Sequence, residues 1–206
     1  MDRRTFVSTT SIGLAGLVSA CVPAPVIRRQ DTGPGVTPDT GPGVTPDTGP
    51  STCDATGADI EGPFYRADVP IRSDLNLYGD VGEALMLSGV VTNEACQAIP
   101  QAIVEIWQAN PAGDYDNTSP EQRYRGQVAT DDQGRYDFST LMPGRYLNGD
   151  TFRPAHIHMK VWVANSERLT TQLYFDGDPY NAGDPWYDQA RSIALENGEG
   201  TFDVSV

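Results

Sequence analysis

Positive charge is scarce in this chain, histidine is scarcer, and no apolar run is long enough to cross a bilayer. Its 14 Lys and Arg stand against 28 Asp and Glu, a formal net charge of −14. Polyanions such as nucleic acid, and anionic membrane surfaces, would be repelled, so both are excluded as electrostatic partners. The one N-terminal apolar run, residues 9–20, is short and broken by glycine, below the roughly 20 residues that a spanning helix needs. No long stretch keeps the helical period, which argues against a helical bundle. What remains is a chain of 206 residues with 38% hydrophobic content, enough for one packed domain with extensions.

The N-terminus reads as an export signal over residues 1–20. Arg3 and Arg4 supply positive charge ahead of the apolar run, and the pattern is similar to a bacterial twin-arginine signal. The run closes on Leu17-Val18-Ser19-Ala20-Cys21, which resembles a lipobox, with Cys21 as the lipidated residue. The expectation is an exported lipoprotein, periplasmic or at the cell surface, touching the membrane through its lipid anchor alone. Setting Cys21 aside leaves Cys53 and Cys96, an even pair in an oxidising compartment, and a disulfide between them is expected. Residues 31–50 repeat the unit DTGPGVTP. Pro, Gly and Thr offer nothing apolar to bury, so residues 21–56 are read as a disordered tether.

From about residue 57 the composition changes to short alternating runs punctuated by Gly, Pro, Asn and Asp. Strands are expected over 84–92, 103–108, 135–138, 156–163, 169–175 and 201–204, with a short helix over 184–195. The fold class is all-β, an antiparallel β-sandwich with long loops occupying residues 57–206.

Both histidines fall within Arg153-Pro154-Ala155-His156-Ile157-His158. On a strand, His156 and His158 share one face while Ile157 enters the other, which makes a two-nitrogen metal grip. The same triplet is equally compatible with two hydrogen-bonded polar residues. With no third histidine and no free thiol after export, further protein ligands would be carboxylate, amide or phenol oxygens. Nine tyrosines are available, and phenolate favours a hard ion such as Fe(III) over zinc. Physical chemistry alone does not say which tyrosines take part; Tyr136, Tyr174 and Tyr180 read as ordinary strand or loop aromatics.

The segments EGPFYR (61–66), AIVEIWQAN (102–110) followed by Gly113-Asp114-Tyr115, DQGRY (132–136), PGRY (143–146), RPAHIH (153–158) and TQLYF (171–175) occur in one order. That order resembles the intradiol ring-cleavage dioxygenases over nearly all of residues 58–206. The resemblance implies a non-haem Fe(III) bound by Tyr115, Tyr146, His156 and His158, with Tyr115 and His156 equatorial and Tyr146 and His158 axial. It implies that Arg153 polarises the substrate, that Gln172 lies near the oxygen pocket, and that Tyr146 leaves the metal to take part in catalysis. Trp107 is expected to pack beneath the site. The implied partners are O2 and a small catechol-type ring, opened between its hydroxyl-bearing carbons to a muconate-type dicarboxylate. No Trp occurs between Tyr146 and Arg153, unlike the protocatechuate enzymes, so the ring substituents stay open, as does the oligomeric state. Two rivals stand beside this reading: a sandwich of the same type serving as a carrier or binding module without turnover, and a zinc hydrolase built on the histidine pair.

Overall fold

The computed structural model describes residues 53–206. The basic N-terminus, Cys21 and the repeat of residues 31–50 lie outside them.

Among the described residues, nine strands build two sheets and two more form a separate hairpin. The first centres on β1 (Ala84–Thr92), whose side chains alternate between solvent and core, with Leu85, Leu87 and Val91 buried. On one side β1 pairs antiparallel with β4 (Arg135–Leu141). Along its other side lie β10 (Glu199–Thr201) and β11 (Val204–Ser205), both parallel to it. The second sheet runs in the order β3 (Arg125–Ala129), β2 (Ile103–Gln108), β7 (His156–Val163), β8 (Ser166–Phe175) and β9 (Ser192–Ile193). A separate hairpin joins β5 (Tyr146–Asn148) to β6 (Thr151–Arg153).

The core lies between the sheets. Leu85, Leu87, Val91 and Phe138 meet Val104, Ile106, Ile157, Met159, Val161 and Leu173 there, all of them with essentially no solvent exposure. Burying this apolar surface drives the sandwich together. The second sheet has no solvent face at its centre: β2 and β7 are buried on both faces for most of their length. Its outer face carries Glu105, Trp107, His156, His158, Lys160, Gln172 and Tyr174, because these positions alternate with the core residues along each strand.

The expected sandwich is present, with three corrections. Three of its edge pairings, β1 with β10, β1 with β11 and β8 with β9, are parallel. The strand expected over 201–204 is divided between β10 and β11. The helix expected over 184–195 is absent: one 3₁₀ turn over Asn181–Gly183 precedes that stretch, and another, Gln189–Arg191, leads into β9. Pro185 holds Asp184 extended, at φ −86 and ψ 123, so a helix cannot propagate through it. Strands β3, β5 and β6 were not expected. Gly149 at φ 65, with Asp150, makes the two-residue β5–β6 turn, a signal that is present in the sequence.

Cys53 and Cys96 are joined by a disulfide, with Cα atoms 5.2 Å apart and a sequence separation of 43. It ties the start of the described chain to the turn after β1. Closing a loop of that length contributes up to about 4 kcal/mol in the chain-entropy picture. Reduction, or the double change Cys53→Ser and Cys96→Ser, is expected to lower the thermal midpoint by several degrees in calorimetry while the fold persists.

Candidate active site

The outer face of the second sheet is where the polar side chains gather, and strand register decides their neighbours. Trp107 lies opposite His158, His158 opposite Gln172, and His156 opposite Tyr174. Residues 57–65, the loop after β2, the β5–β6 hairpin and the loop carrying Asp184 cover this face. Residues 57–60 run along β8, with the Asp59 amide donating to the Thr170 carbonyl at 2.9 Å and Gln172 Nε2 donating to the Ile60 carbonyl at 3.0 Å. Residues 61–65 then cross the sheet. Glu61 pairs with Lys160 at 2.7 Å, Gly62 sits against the His158 ring, and Tyr65 meets Trp107 edge-on at 5.0 Å. The loop after β2 brings in Tyr115, and the β5–β6 hairpin brings in Tyr146 and Arg153.

Tyr115, Tyr146, His156 and His158 converge. The Tyr115 hydroxyl is 3.3 Å from His156 Nε2. Ring centroids are 5.6 Å apart for Tyr115 and Tyr146, 5.6 Å for Tyr146 and His156, and 5.0 Å for His156 and His158. Phe64 stacks on Tyr115 at 4.3 Å, and Trp107 lies flat on His158 at 4.8 Å with 7° between planes, beneath the site as expected.

Two glycines let the tyrosines meet. Gly113, at φ +93, would drive a Cβ to 2.4 Å from the Arg145 carbonyl, and a Cβ on Gly144 would come within 2.4 Å of the Gly113 amide. The loop of residues 110–115 and the strand entry at 143–146 can touch only because neither position carries a side chain. Asn110 shapes the first of these, its Oδ1 accepting from the amides of Ala112 and Asp114.

Protonation follows from burial. His156 donates from Nδ1 to the Pro154 carbonyl at 2.7 Å, which leaves Nε2 with a free lone pair aimed at Tyr115. Its pKa is pushed down to about 4 by burial and by Arg153, against the opposing Pro154 hydrogen bond. Burial, His156, Arg153 and Arg125 hold His158 well below the ordinary value. Both ring nitrogens of His158 are buried without a partner among the described residues, an expensive arrangement unless something binds there. The Tyr115 phenol is raised well above its usual range by burial and by Tyr146, against Arg153 and Arg125. Tyr146 is also raised, by burial, with Arg153 opposing. Two neutral imidazoles and two phenols whose protons only a cation would displace are a donor set that suits a hard, highly charged metal. Among the described residues no group of three or more His, Cys, Asp or Glu could hold one, so phenol oxygens would complete the ligand shell.

Arg153 stands beside this quartet, 4% exposed. Its Nε donates to Asp184 Oδ2 at 2.7 Å, and its Nη2 donates to Gln172 Oε1 at 3.0 Å and Tyr174 Oη at 3.2 Å. The guanidinium also lies 4.6 Å from the Trp186 ring centroid. Burial works against its charge, but the hydrogen bond and charge of Asp184, with Tyr146, keep its pKa above the ordinary value. Arg153 and Gln172 therefore come together beside the quartet. Asp184, Tyr174 and Trp186 were missed. Tyr174 had a usable signal, since it sits two residues from Gln172 on one strand; Asp184 and Trp186, from a loop 31 and 33 positions beyond Arg153, had none.

The chain belongs to the intradiol ring-cleavage dioxygenase family. A dioxygenase family model matches residues 60–198. Catechol 1,2-dioxygenase 2 of Acinetobacter lwoffii is 34% identical over 145 residues, 61% of this chain and 53% of that protein. The protocatechuate 3,4-dioxygenase beta chain of Burkholderia cepacia is 38% identical over 117 residues, 51% of this chain and 50% of that one. The solved dioxygenase domain of a dioxygenase–carbohydrate-binding fusion from the cellulolytic bacterium Streptomyces sp. SirexAA-E is 35% identical. It superposes with a TM-score of 0.68 over 74% of this chain and 98% of that domain. The chain spans about half the length of the curated relatives it matches.

Two outcomes test this construction. Gly113→Ala is expected to separate Tyr115 from Tyr146 and abolish metal retention, read by elemental analysis, while circular dichroism stays that of a β protein. The second concerns Glu105, on the same sheet face, whose Oε1 has no partner among the described residues. Burial pushes its carboxyl up from 4.5 to about 7, against hydrogen bonds from Tyr65 and Trp162 and the charge of Lys160. Between those two pH values the folded chain holds a proton that the unfolded chain has released, so stability falls as pH rises through that window. Glu105→Gln should therefore leave the thermal midpoint nearly unchanged at pH 4 and raise it at pH 8. An equal change at both pH values would refute the assignment.

Proposed function

We propose that this chain is an intradiol dioxygenase that binds non-haem Fe(III) through Tyr115, Tyr146, His156 and His158. It opens catechol-type rings between their hydroxyl-bearing carbons and incorporates O2, giving a muconate-type dicarboxylate. The observation that carries this reading is the convergence of two buried neutral imidazoles and two partly buried phenols beside a buried arginine. Ferric iron bound there would supply the Lewis acidity that holds a catechol as its dianion and leaves the ring, rather than the metal, to meet O2.

The protein's own groups have distinct tasks. Were a ferric ion bound, a chelating catechol would give up two protons; Tyr146, on the exposed hairpin and only partly buried, would take one at its phenolate oxygen and solvent the other. Tyr115, stacked under Phe64 and touching His156, stays in place. Arg153 keeps its positive charge at any working pH and stabilises electron density building on the ring. Gln172, bonded to Arg153 and to the Ile60 carbonyl, orients that guanidinium. Trp107 buttresses His158 from below. We further propose an exported, lipid-anchored protein with residues 21–56 as tether and 57–206 as catalytic domain. The twin-arginine-like segment, Cys21 and the disulfide support this.

The test is metal analysis and visible absorption of the purified protein, followed by product analysis under labelled O2. One iron per chain, a red colour from phenolate-to-iron charge transfer, and a dicarboxylate with one labelled oxygen in each carboxylate are expected. Arg153→Ala should lower kcat by about 100-fold, the scale seen when one preorganised donor to developing charge is removed. A colourless zinc protein, or a ring-opened semialdehyde, would refute the proposal.

A further inference from the structure

A cleft of about 190 Å³ opens on Arg153, between the β5–β6 hairpin and the loop carrying Asp184, Pro185 and Trp186. Asn148 and Thr151 face it from the hairpin. In register they share the side of the ribbon that carries Tyr146 and Arg153; Phe152, from the other side of the ribbon, also lines the cleft. A ring whose hydroxyls reach the Tyr146 side would therefore turn its substituent into this cleft.

Arg153 is the one basic side chain lining the cleft, and its charge is already matched. Asp184 takes two of its nitrogens, Nε at 2.7 Å and Nη2 at 3.3 Å, with the two side chains 5% and 1% exposed. Asp184 is itself pinned by the Trp186 amide, which donates to Oδ1 at 2.8 Å, and the Trp186 ring covers the guanidinium. The neighbouring Arg145 pairs with Asp178 at 2.8 Å and does not line the cleft. The polar side-chain atoms left to greet a substituent include the Asn148 amide and the Thr151 hydroxyl, and among the described residues neither side chain has a hydrogen-bond partner.

Resting on the ring-cleavage reading above, we infer that this site selects uncharged catechols bearing a hydrogen-bonding substituent and discriminates against ring carboxylates, with Asp184 as the positioning residue that sets the preference. A carboxylate entering the cleft would lose hydration, meet a guanidinium already balanced by Asp184, and feel that aspartate's repulsion. The surplus of acidic groups over the whole chain, −14, adds to the barrier. A hydroxyl substituent loses less on desolvation and regains hydrogen bonds from Asn148 and Thr151.

The test is spectral titration of the iron-loaded full-length protein with two unreactive monophenols, 4-hydroxybenzyl alcohol and 4-hydroxybenzoate. Steady-state turnover of catechol and of 3,4-dihydroxybenzoate is measured alongside. The alcohol is expected to bind at least about tenfold more tightly, a gap of about 1.4 kcal/mol. Asp184→Asn should tighten 4-hydroxybenzoate by about tenfold and change the alcohol by less than about threefold, whereas Asp184→Glu should restore the original preference. Thr151→Lys, at an exposed hairpin position, should also tighten 4-hydroxybenzoate without disturbing the buried pair, so the idea stays testable if Asp184→Asn fails to fold. Equal or tighter binding of the benzoate by the unmodified protein, or an unchanged ratio in Thr151→Lys, would overturn the inference while catechol cleavage left the ring-cleavage reading intact. A protein that bound neither phenol and cleaved no catechol would overturn both.

Discussion

Everything at the site depends on one constraint: the central strands of the second sheet are buried on both faces. A sheet whose inner face packs the hydrophobic core normally shows its outer face to water, and polar residues there need no partners. Here His156, His158, Gln172, Lys160 and Glu105 lie under loops, each nearly sealed from solvent. Every buried polar atom must then find a partner or bear the desolvation cost. The EGPFYR segment, the loop carrying Tyr115, the hairpin with Tyr146 and Arg153, and the loop with Asp184 supply those partners in layers. Not all are met: Glu105 Oε1 and Trp107 Nε1 have none among the described residues, and His158, within the donor quartet, has none at either ring nitrogen.

Charge is handled with the same economy. Buried ion pairs stabilise little by themselves, but breaking one leaves an uncompensated charge. Lys160 is clamped by Glu61 and Glu167, Arg191 by Asp59, and Arg153 by Asp184. The Lys160–Glu61, Arg191–Asp59 and Arg153–Asp184 pairs each join a strand, or the turn leading into one, to a distant loop, while Lys160–Glu167 ties β7 to β8. Tyr174 links two of these systems, accepting from Arg153 and donating to Asp59. The lattice makes the cover over the sheet face rigid, and a rigid arginine can face developing charge without reorganising.

How much of this was legible varied with the element. β1 was found to the residue because one of its faces is wet and the period-2 pattern survives. β2 and β7 were found from β-branched and aromatic content bounded by turn residues, although burial on both faces blurs their alternation. β3 was missed because it opens on Arg125-Gly126 and has little apolar content of its own; neighbouring β2 holds it in place. The stretch over 184–195 misled because its residues suit a helix apart from Pro185, and Asp184 is held extended where it meets Arg153.

The sequence by itself determined which donor types were available and how the histidines were spaced. With two histidines in the whole chain, separated by one residue on a strand, they had to share a face, because strand geometry has a period of two. The order of six motifs was enough to indicate the family. Which side of the sheet that shared face would be, and what would cover it, was decided by tertiary structure alone. The phenols reach the histidines because Gly113 and Gly144 let two loops touch. Arg153 is paired with Asp184 because a loop 31 residues further along folds back over it. Contacts of that separation are set by how whole layers pack, and no local pattern of residues encodes them.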